Sequence, residues 1–440
     1  VARSVSYLLT FVIALSLPVA ALAQTTDAPG NPVAVIKVEG AIDRPLMGYL
    51  QDQIDQAVAD NAVIVLQVNS AGTIGQDGIA LAQQLVSLPV PVLVWVGEVP
   101  ARASGAGMLL MDAASLASVA PGSQTGPLNP IDLLHPAPPP ADLNQTIEGW
   151  LAARDRTGVR LEHQDEAMPG ALAVEYGFAK FGATSVIDLL NQADGDTVQT
   201  AAGPWELHTK VATTDADVTN GVGVTIRFIE PGLLVRGAHA VATPTMVYVL
   251  LVLGLACVAF ELTQPGFGFA GFCGLFLSAL GIYGATVAVP QWPGAVLLLG
   301  GIAAMVVDVR MRRLGVRTYA GLALFTAGSF LVYRGVADAI RISPWLIGGA
   351  VIASWLYYGF ALTVAVQSRD RIIATQQGLI GLVGEARGRL APDGPVHVKG
   401  AMWRGRSLGE PIAPGTKVRV RGVDGLVLKV EPEPDPVGVE

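Results

Sequence analysis

The sequence predicts three unlike parts in one chain: an α/β domain, an α-helical membrane region and a small all-β barrel. Three observations carry this reading. Strand-like and helix-like runs alternate from Asn31 to about Ala242, five apolar segments follow from Thr243, and the stretch after Ile373 breaks into short alternating runs separated by turn signals. With 440 residues, 51% of them hydrophobic and 15% charged, the chain is too apolar for an ordinary soluble protein and too mixed for a helical bundle alone. The corresponding divisions are 1–23, 24–242, 243–372 and 373–440.

Residues 1–23 read as a cleaved signal peptide. Arg3 precedes an apolar run from Tyr7 to Val19, and Ala21-Leu22-Ala23 supplies the small residues a signal peptidase accepts, which puts the mature start near Gln24. The α/β domain then begins with "VAVIKVEGAI" (Val33 to Ile42), short and β-branched, followed by helical apolar spacing in "LMGYLQDQIDQAVAD" (Leu46 to Asp60). "AVIVLQVNS" (Ala62 to Ser70) and "VPVLVWVGE" (Val90 to Glu98) are buried-strand runs, with "GIALAQQLVSL" (Gly78 to Leu88) helical between them. This order argues for parallel strands joined by right-handed crossovers. "PARASGAGMLLM" (Pro100 to Met111) therefore follows a strand and opens a helix, the place where α/β folds put active-site residues. Beyond Pro121 the proline-rich "LLHPAPPPADL" reads as an exposed loop, "LNQTIEGWLAARDRTG" (Leu143 to Gly158) as a helix ending at glycine, and "ALAVEYGFA" with "SVIDLLNQA" as a closing helix-strand pair.

The apolar segments run from Met246 to Leu262, Phe267 to Val289, Ala295 to Val309, Tyr319 to Tyr333 and Leu346 to Val366. Some fall short of the ~20 residues of a comfortable span, so the third or fourth is a candidate for a tilted or re-entrant helix. Arg310, Arg312, Arg313 and Arg317 lie between the third and fourth segments, and Arg369 and Arg371 follow the fifth. Positive charge stays on the cytoplasmic side. That places the N-terminal domain outside and the C-terminal domain in the cytoplasm, with an odd number of spans giving the same answer. Glu261 and Asp308 stand at cytoplasmic ends of segments, where water solvates them, and Gly254, Gly266, Gly271, Gly300 and Gly301 suit close helix packing. The two cysteines, Cys257 and Cys273, lie in apolar segments, so no disulfide framework holds the exported part.

In the tail, Asp393-Gly394, Pro414-Gly415 and Asp424-Gly425 mark turns, and Val396, Val398, Val418, Val420, Leu426 and Leu428 read as inward-facing. Its Lys and Arg residues are interspersed with Glu385, Asp393, Glu410 and Asp424, and Trp403 is its one stacking aromatic. Nucleic acid is therefore not the expected partner; a protein or anionic headgroups are.

Taken together these blocks resemble the long form of the NfeD family (nodulation formation efficiency D). "VPVLVWVGEVPARASGAGMLLMDAASLASVAPGSQTG" (Val90 to Gly126) is similar to its nucleophile strand-helix segment. "TPTMVYVLLVLGLACVAFELTQPGFGFAGFCG" (Thr243 to Gly274) is similar to its first membrane hairpin, and "GPVHVKGAMWRGRS" and "GLVLKV" to its C-terminal barrel. The resemblance implies an exported ClpP/crotonase-like serine protease domain, a membrane bundle, a cytoplasmic OB-fold, a stomatin/flotillin-type membrane partner and a homo-oligomeric protease-like domain, with no cofactor and no metal.

It also implies a Ser–Lys dyad, from which this sequence departs. Aligned on Ala101-Arg102-Ala103 and Pro121-Gly122, the nucleophile position falls on Gly105, and Ser104 stands one residue early. On a helix that offset turns a side chain by ~100° and moves it ~1.5 Å, beyond the ~0.5 Å tolerance of catalytic geometry. The lysine position corresponds to about Ala141, and no lysine occurs between Lys37 and Lys180. His135 and His163 are the remaining bases to consider, each more typical of a surface position. Where the fold uses a Gly-Gly turn for its oxyanion hole, "NSAGTIG" keeps Gly72 and places Thr73 second. The expected function is thus a membrane scaffold or partner of a stomatin/flotillin-type protein, carrying a protease-like domain that no longer cleaves. The alternative is an active membrane-bound serine endopeptidase that cuts apolar segments of a membrane partner.

Overall fold

The computed structural model describes residues 31–212, 223–262, 268–311, 315–362, 364 and 378–433. The expected signal peptide, Arg312, Arg313, Arg369 and Arg371 lie outside the described residues. Two compact units divide between Arg236 and Gly237.

The first unit carries β1 (Val33–Glu39), α1 (Arg44–Ala59), β2 (Val63–Asn69), α2 (Gly78–Val86), β3 (Val92–Val96), β4 (Arg102–Ala103) and α3 (Ala106–Ala113). There follow β5 (Leu116–Val119), β6 (Gln124–Thr125), α4 (Leu143–Ala153), β7 (Met168–Pro169), α5 (Gly170–Glu175), β8 (Phe181–Gly182) and α6 (Val186–Ala193). β9 (Thr197–Thr200), β10 (Gly203–Glu206) and β11 (Ile226–Ile229) complete the sheets. The main sheet is β11-β1-β2-β3-β5-β8, and every neighbouring pair in it is parallel.

Its strands read as unbroken apolar runs because both faces are covered. Ile36, Leu66, Val94 and Ala117 align across the sheet and face the larger core, while Val35, Val65, Leu93 and Leu116 face a second core shared with α6 and the β9–β10 hairpin. A small second sheet, β4-β6-β7, sits at the strand ends. This arrangement is the ClpP/crotonase-like α/β fold. The expected parallel sheet is present; β11, which returns from far along the chain to pair beside β1, has no local signature.

The helix expected to reach Gly158 stops at Ala153. Asp155 adopts φ +54, and the flanking arginines turn inward. Arg154 donates to the carbonyls of Leu85, Ala113 and Gln199, and Arg156 to those of Met111, Asp112, Ala114 and Phe178. Two guanidinium groups thus satisfy carbonyls at the C-terminal ends of α2 and α3, where cations are favoured.

α7 (Leu233–Val241) straddles the division, and the second unit goes on with α8 (Pro244–Glu261), α9 (Phe269–Val287), α10 (Trp292–Arg310), α11 (Val316–Leu331) and α12 (Pro344–Ser354). α12 continues as π-helical turns over Trp355–Ala361. Among the described residues, four stretches suffice by length and composition to cross a membrane: α8, α9, α10 and Asp338–Ala361. α11, at 16 residues, falls below that length, yet it returns along the whole of α10. A Cβ built on Gly294 would meet Val332, one on Gly328 would meet Leu298, and one on Gly301 would meet Phe325, while Asp308 reaches Gly315 at the turn.

The two hairpins repeat each other with a 47-residue offset. Glu261 accepts from the backbone N–H groups of Gly268 and Gly271; Asp308 accepts from those of Gly315 and Thr318. Gly254 faces Ser278 and Gly274, and Gly301 faces Phe325 and Gly321. Each acidic residue therefore caps the helix that follows it, satisfying N–H groups left open at a helix start. Neither is simply solvated, as its place at a segment end suggested: Asp308 is buried, with Arg317 at 3.7 Å from its carboxylate.

The tail is a closed barrel of β12 (Val383–Ala386), β13 (Asp393–Val398), β14 (Ala401–Ser407), β15 (Lys417–Asp424) and β16 (Val427–Pro432), in the order β12-β13-β14-β16-β15. It is an OB-type barrel with one parallel pair, β14 with β16. Two details differ from the sequence pattern. Asp393-Gly394 is not a turn: Asp393 opens β13 and its carboxylate binds Arg404 and Arg406, while the hairpin turns at Lys399-Gly400 with φ +51 and +80. Leu426 is exposed, beside the turn glycine Gly425, and Val430 takes the inward position instead.

Candidate active site

β3 leads through Pro100 into β4, which pairs with β6 and touches the end of β2 through a Ser70–Ala103 bridge. The next two residues turn the chain into α3. Ser104 is buried, donates its N–H to Ser70 O at 3.0 Å and accepts from Gly107 N–H at 2.9 Å. Its hydroxyl makes no hydrogen bond among the described residues. Gly105, the residue before the helix, has φ +55 and ψ −125. A sharp, strained strand-to-helix turn of this kind is where hydrolases hold a nucleophile, and L side chains rarely adopt such a φ. All eight residues of α3 are buried, so the turn cannot relax by sliding the helix outward.

Gly72, Thr73, Ser104 and Gly105 come together at this corner. A Cβ on Gly105 would lie 3.0 Å from Gly72 Cα, 2.8 Å from Ala71 O and 2.5 Å from Pro130 O. No side chain fits at position 105 unless backbone moves. The two amides that an oxyanion hole would use are also engaged. Gly72 N–H points at Ser70 Oγ, 3.4 Å away. Thr73 N–H donates to Ile131 O at 2.9 Å, and Thr73 Oγ1 donates to the same oxygen at 3.2 Å.

The group filling the corner is the chain itself. Residues 126–134 form a strap across the strand ends. Gly126 N–H donates to Ala103 O, Gly105 N–H to Pro127 O, Leu128 N–H to Gln164 O, and Leu133 N–H to Thr73 O, all within 2.8–2.9 Å. Asp132 Oδ1 accepts from Gly75 N–H and Leu134 N–H. Leu128, Leu133 and Leu134 are buried beneath the strap. The exposed loop read from the prolines begins only after it, at His135.

The residues considered as bases have other partners or face solvent. Ala141 lies in the exposed turn before α4, and its methyl group accepts no proton. Lys37 pairs with Glu39 at 3.1 Å, which raises its pKa, and Lys180 pairs with Asp196 at 2.6 Å. His135 is exposed beside Asp132, and His163 stacks on Tyr176 with ring centroids 4.2 Å apart.

Sequence reasoning missed a buried carboxyl on the same helix. Asp112 is fully buried on α3, and neither carboxylate oxygen has a hydrogen-bond partner among the described residues. Burial pushes its pKa up to about 7, with the nearby Arg156 charge opposing the shift. Burial likewise lowers the pKa of both Arg154 and Arg156. It also missed the strap and the hairpin repeat; a self-comparison at a 47-residue offset carries the second signal.

A ClpP/crotonase-like domain, a bundle of apolar helices and an OB-type barrel on one chain define a membrane protein of the protease-homologue type. Residues 245–363 match the NfeD integral membrane domain, and residues 376–432 match the NfeD-like C-terminal, partner-binding domain. In both regions, and in the order of its parts, the chain is similar to the long form of the NfeD family. It is 25% identical over 429 residues to the membrane-bound protease PH1510 of Pyrococcus horikoshii, covering 91% of this chain and 93% of that one. Among solved structures, a membrane protease specific for a stomatin homolog from Pyrococcus horikoshii is 18% identical, covers 48% of this chain and 98% of its own, and has a TM-score of 0.39. The C-terminal domain of a stomatin operon partner protein from the same organism is 39% identical over 14% of this chain and 95% of its own, with a TM-score of 0.13.

Proposed function

We propose that this protein is a membrane scaffold that binds a stomatin-type partner, and that its ClpP/crotonase-like domain no longer cleaves peptides. One observation carries the second half: the position aligned with the nucleophile is Gly105, and Pro130 O and Ala71 O occupy the space a side chain there would need. A serine hydroxyl requires a positioned base and free oxyanion donors. Ser104 lies one residue away on a buried helix start, Ala141 stands at the lysine position, and Ile131 O takes the Thr73 amide. Partner binding draws on the barrel's match to a partner-binding domain and on the stomatin specificity named for the relatives.

The same proposal places the α/β domain outside the cytoplasm and the barrel inside it, on the arginine clusters and the export signal. Self-association of the α/β domain fits its exposed Val99, Ile187 and Phe228, an apolar patch a lone domain leaves wet.

The test is activity-based labelling of the purified full chain with a fluorophosphonate probe, beside hydrolysis of apolar peptides. No labelling and no cleavage are the expected results. Labelling that disappears in Ser104→Ala would overturn the proposal and establish an active endopeptidase.

A further inference from the structure

α7 spans nine residues, and none of them is buried. Isolated helices shorter than about 12–15 residues are marginal in water and depend on packing of an amphipathic face. At about 100° per residue, Leu233, Leu234, Gly237 and Ala240 share one side of this helix, and Val235, Ala238 and His239 share the other. The second side meets protein, since Val235 packs against the larger core of the α/β domain. The first side is bare: Leu233 is 85% and Leu234 90% exposed, and Gly237 and Ala240 are exposed with them.

The position of α7 in the chain says what covers that side. Only Ala242 and Thr243 separate it from α8, which is long and apolar enough to span a membrane. Thr243 caps α8 by accepting from Met246 N–H, so the new helix starts at once with Pro244. The last residue of α7 also meets the first hairpin, because a Cβ on Gly284 would meet Val241 O. Gly284 lies within one turn of the end of α9 at Val287, and Trp292, 76% exposed, opens α10 just beyond it. Indole rings gather at the headgroup level of a bilayer. The C-terminal end of α7 therefore stands at the membrane boundary, held there by the chain itself.

We propose that α7 is an interfacial helix that lies on the bilayer with Leu233 and Leu234 inserted among the lipid headgroups and upper acyl chains. Amphipathic helices of this kind sink their apolar face ~5–10 Å into that layer and keep charge at its edge. Arg236, beside the leucine face and paired with Glu230, holds the edge position. Lipid is the occupant because the span that begins two residues later puts the bilayer within covalent reach, whereas another protein would have to be recruited. Three residues, Glu230, Pro231 and Gly232, join α7 to β11, so the α/β domain is docked to the membrane surface through this helix rather than carried on a free tether.

The experiment uses the full chain in nanodiscs of phosphatidylcholine whose acyl chain carries a diazirine close to the headgroup, irradiated and mapped by mass spectrometry. Adducts should form at Leu233 and Leu234 well above those at Leu426, a 75% exposed leucine of the barrel. Hydrogen exchange on the same nanodiscs gives the second reading. The double variant Leu233→Ala/Leu234→Ala keeps helix propensity, because alanine is the best helix former. Its α7 amides should exchange about tenfold faster, the factor for withdrawing roughly two methylene groups from an apolar phase, while the amides of β1 and β2 keep their rates. Adducts at Leu233 and Leu234 no greater than at Leu426 would overturn the proposal, as would α7 exchange that the double variant leaves unchanged. Slow α7 exchange without lipid adducts would mean that protein covers the leucines, which overturns it equally.

Discussion

Under the proposed function, Gly105 is the residue at which this turn would differ from a working elbow. Its φ of +55 and ψ of −125 are tolerated because it has no Cβ, and that same absence lets Pro130 O approach. Gly105→Ser should therefore cost stability without creating activity. Strain of ~1–3 kcal/mol, added to displacement of the strap, should lower the Tm by about 3–10 °C for a domain of this size. Differential scanning calorimetry and the fluorophosphonate probe read the two halves. A variant that becomes reactive while Ala141 is unchanged would show that the missing nucleophile, and not the missing base, silences the corner.

Asp112 supports a second prediction at this scale. Its ordinary pKa is 3.8 and burial raises it to about 7. The folded state thus holds a proton that the unfolded chain has released, and stability falls as pH rises through that window. Above about pH 7 the full penalty remains, on the order of 4 kcal/mol at most. Asp112→Asn removes the ionisation, so it should be nearly neutral at about pH 4 and stabilising at about pH 8. Urea denaturation at both pH values measures this; equal effects at both would mean that Asp112 stays charged beside Arg156.

At the scale of elements, the membrane hairpins are held by close backbone approach. A Cβ on Gly301 would meet Phe325 N at 2.5 Å and Gly321 O at 2.6 Å, whereas one on its neighbour Gly300 would meet nothing within 4 Å. Gly300→Leu should leave the detergent-solubilised protein folded and monodisperse by size-exclusion chromatography. Gly301→Leu should not, since overpacking against backbone has no side chain to yield. Similar behaviour of the two would argue against the hairpin seam. Element boundaries show what local pattern reveals. The strands β1, β2 and β3 and the helices α1 and α2 were legible because burial on a fixed face writes a period into the sequence. The end of α4 was not, since it depends on carbonyls of α2 and α3 that Arg154 and Arg156 find across the domain. Nor was the barrel hairpin at Lys399-Gly400, where the apparent turn residue Asp393 serves as an acceptor for Arg404 and Arg406.

For the whole molecule, topology is the quantity to measure. An epitope after Glu440 should be reachable only from the cytoplasm, and one inserted at the exposed Pro138 only from outside. Protease protection in intact and permeabilised cells distinguishes these. Finding both on one side would mean that one helix, α11 first among them, does not cross. Its 16 residues fall short of ~20, but its course along α10 to Val332 supports a crossing.

By itself the sequence determined the order of three parts and the parallel character of the first sheet, and it raised the reading of Ser104, Gly105 and Ala141 as departures. Each of these is carried by residue identity or by a short-range period. Only the tertiary structure decided what occupies the candidate site. Thr73 and Ile131 stand 58 residues apart in the chain, and their hydrogen bonds close the corner. An apolar cavity in the membrane unit likewise joins one face of α8 to one face of α12 across nearly a hundred residues. Periodicity reports which side of an element is apolar; which distant backbone or side chain meets that side is settled only when loops close and cores pack.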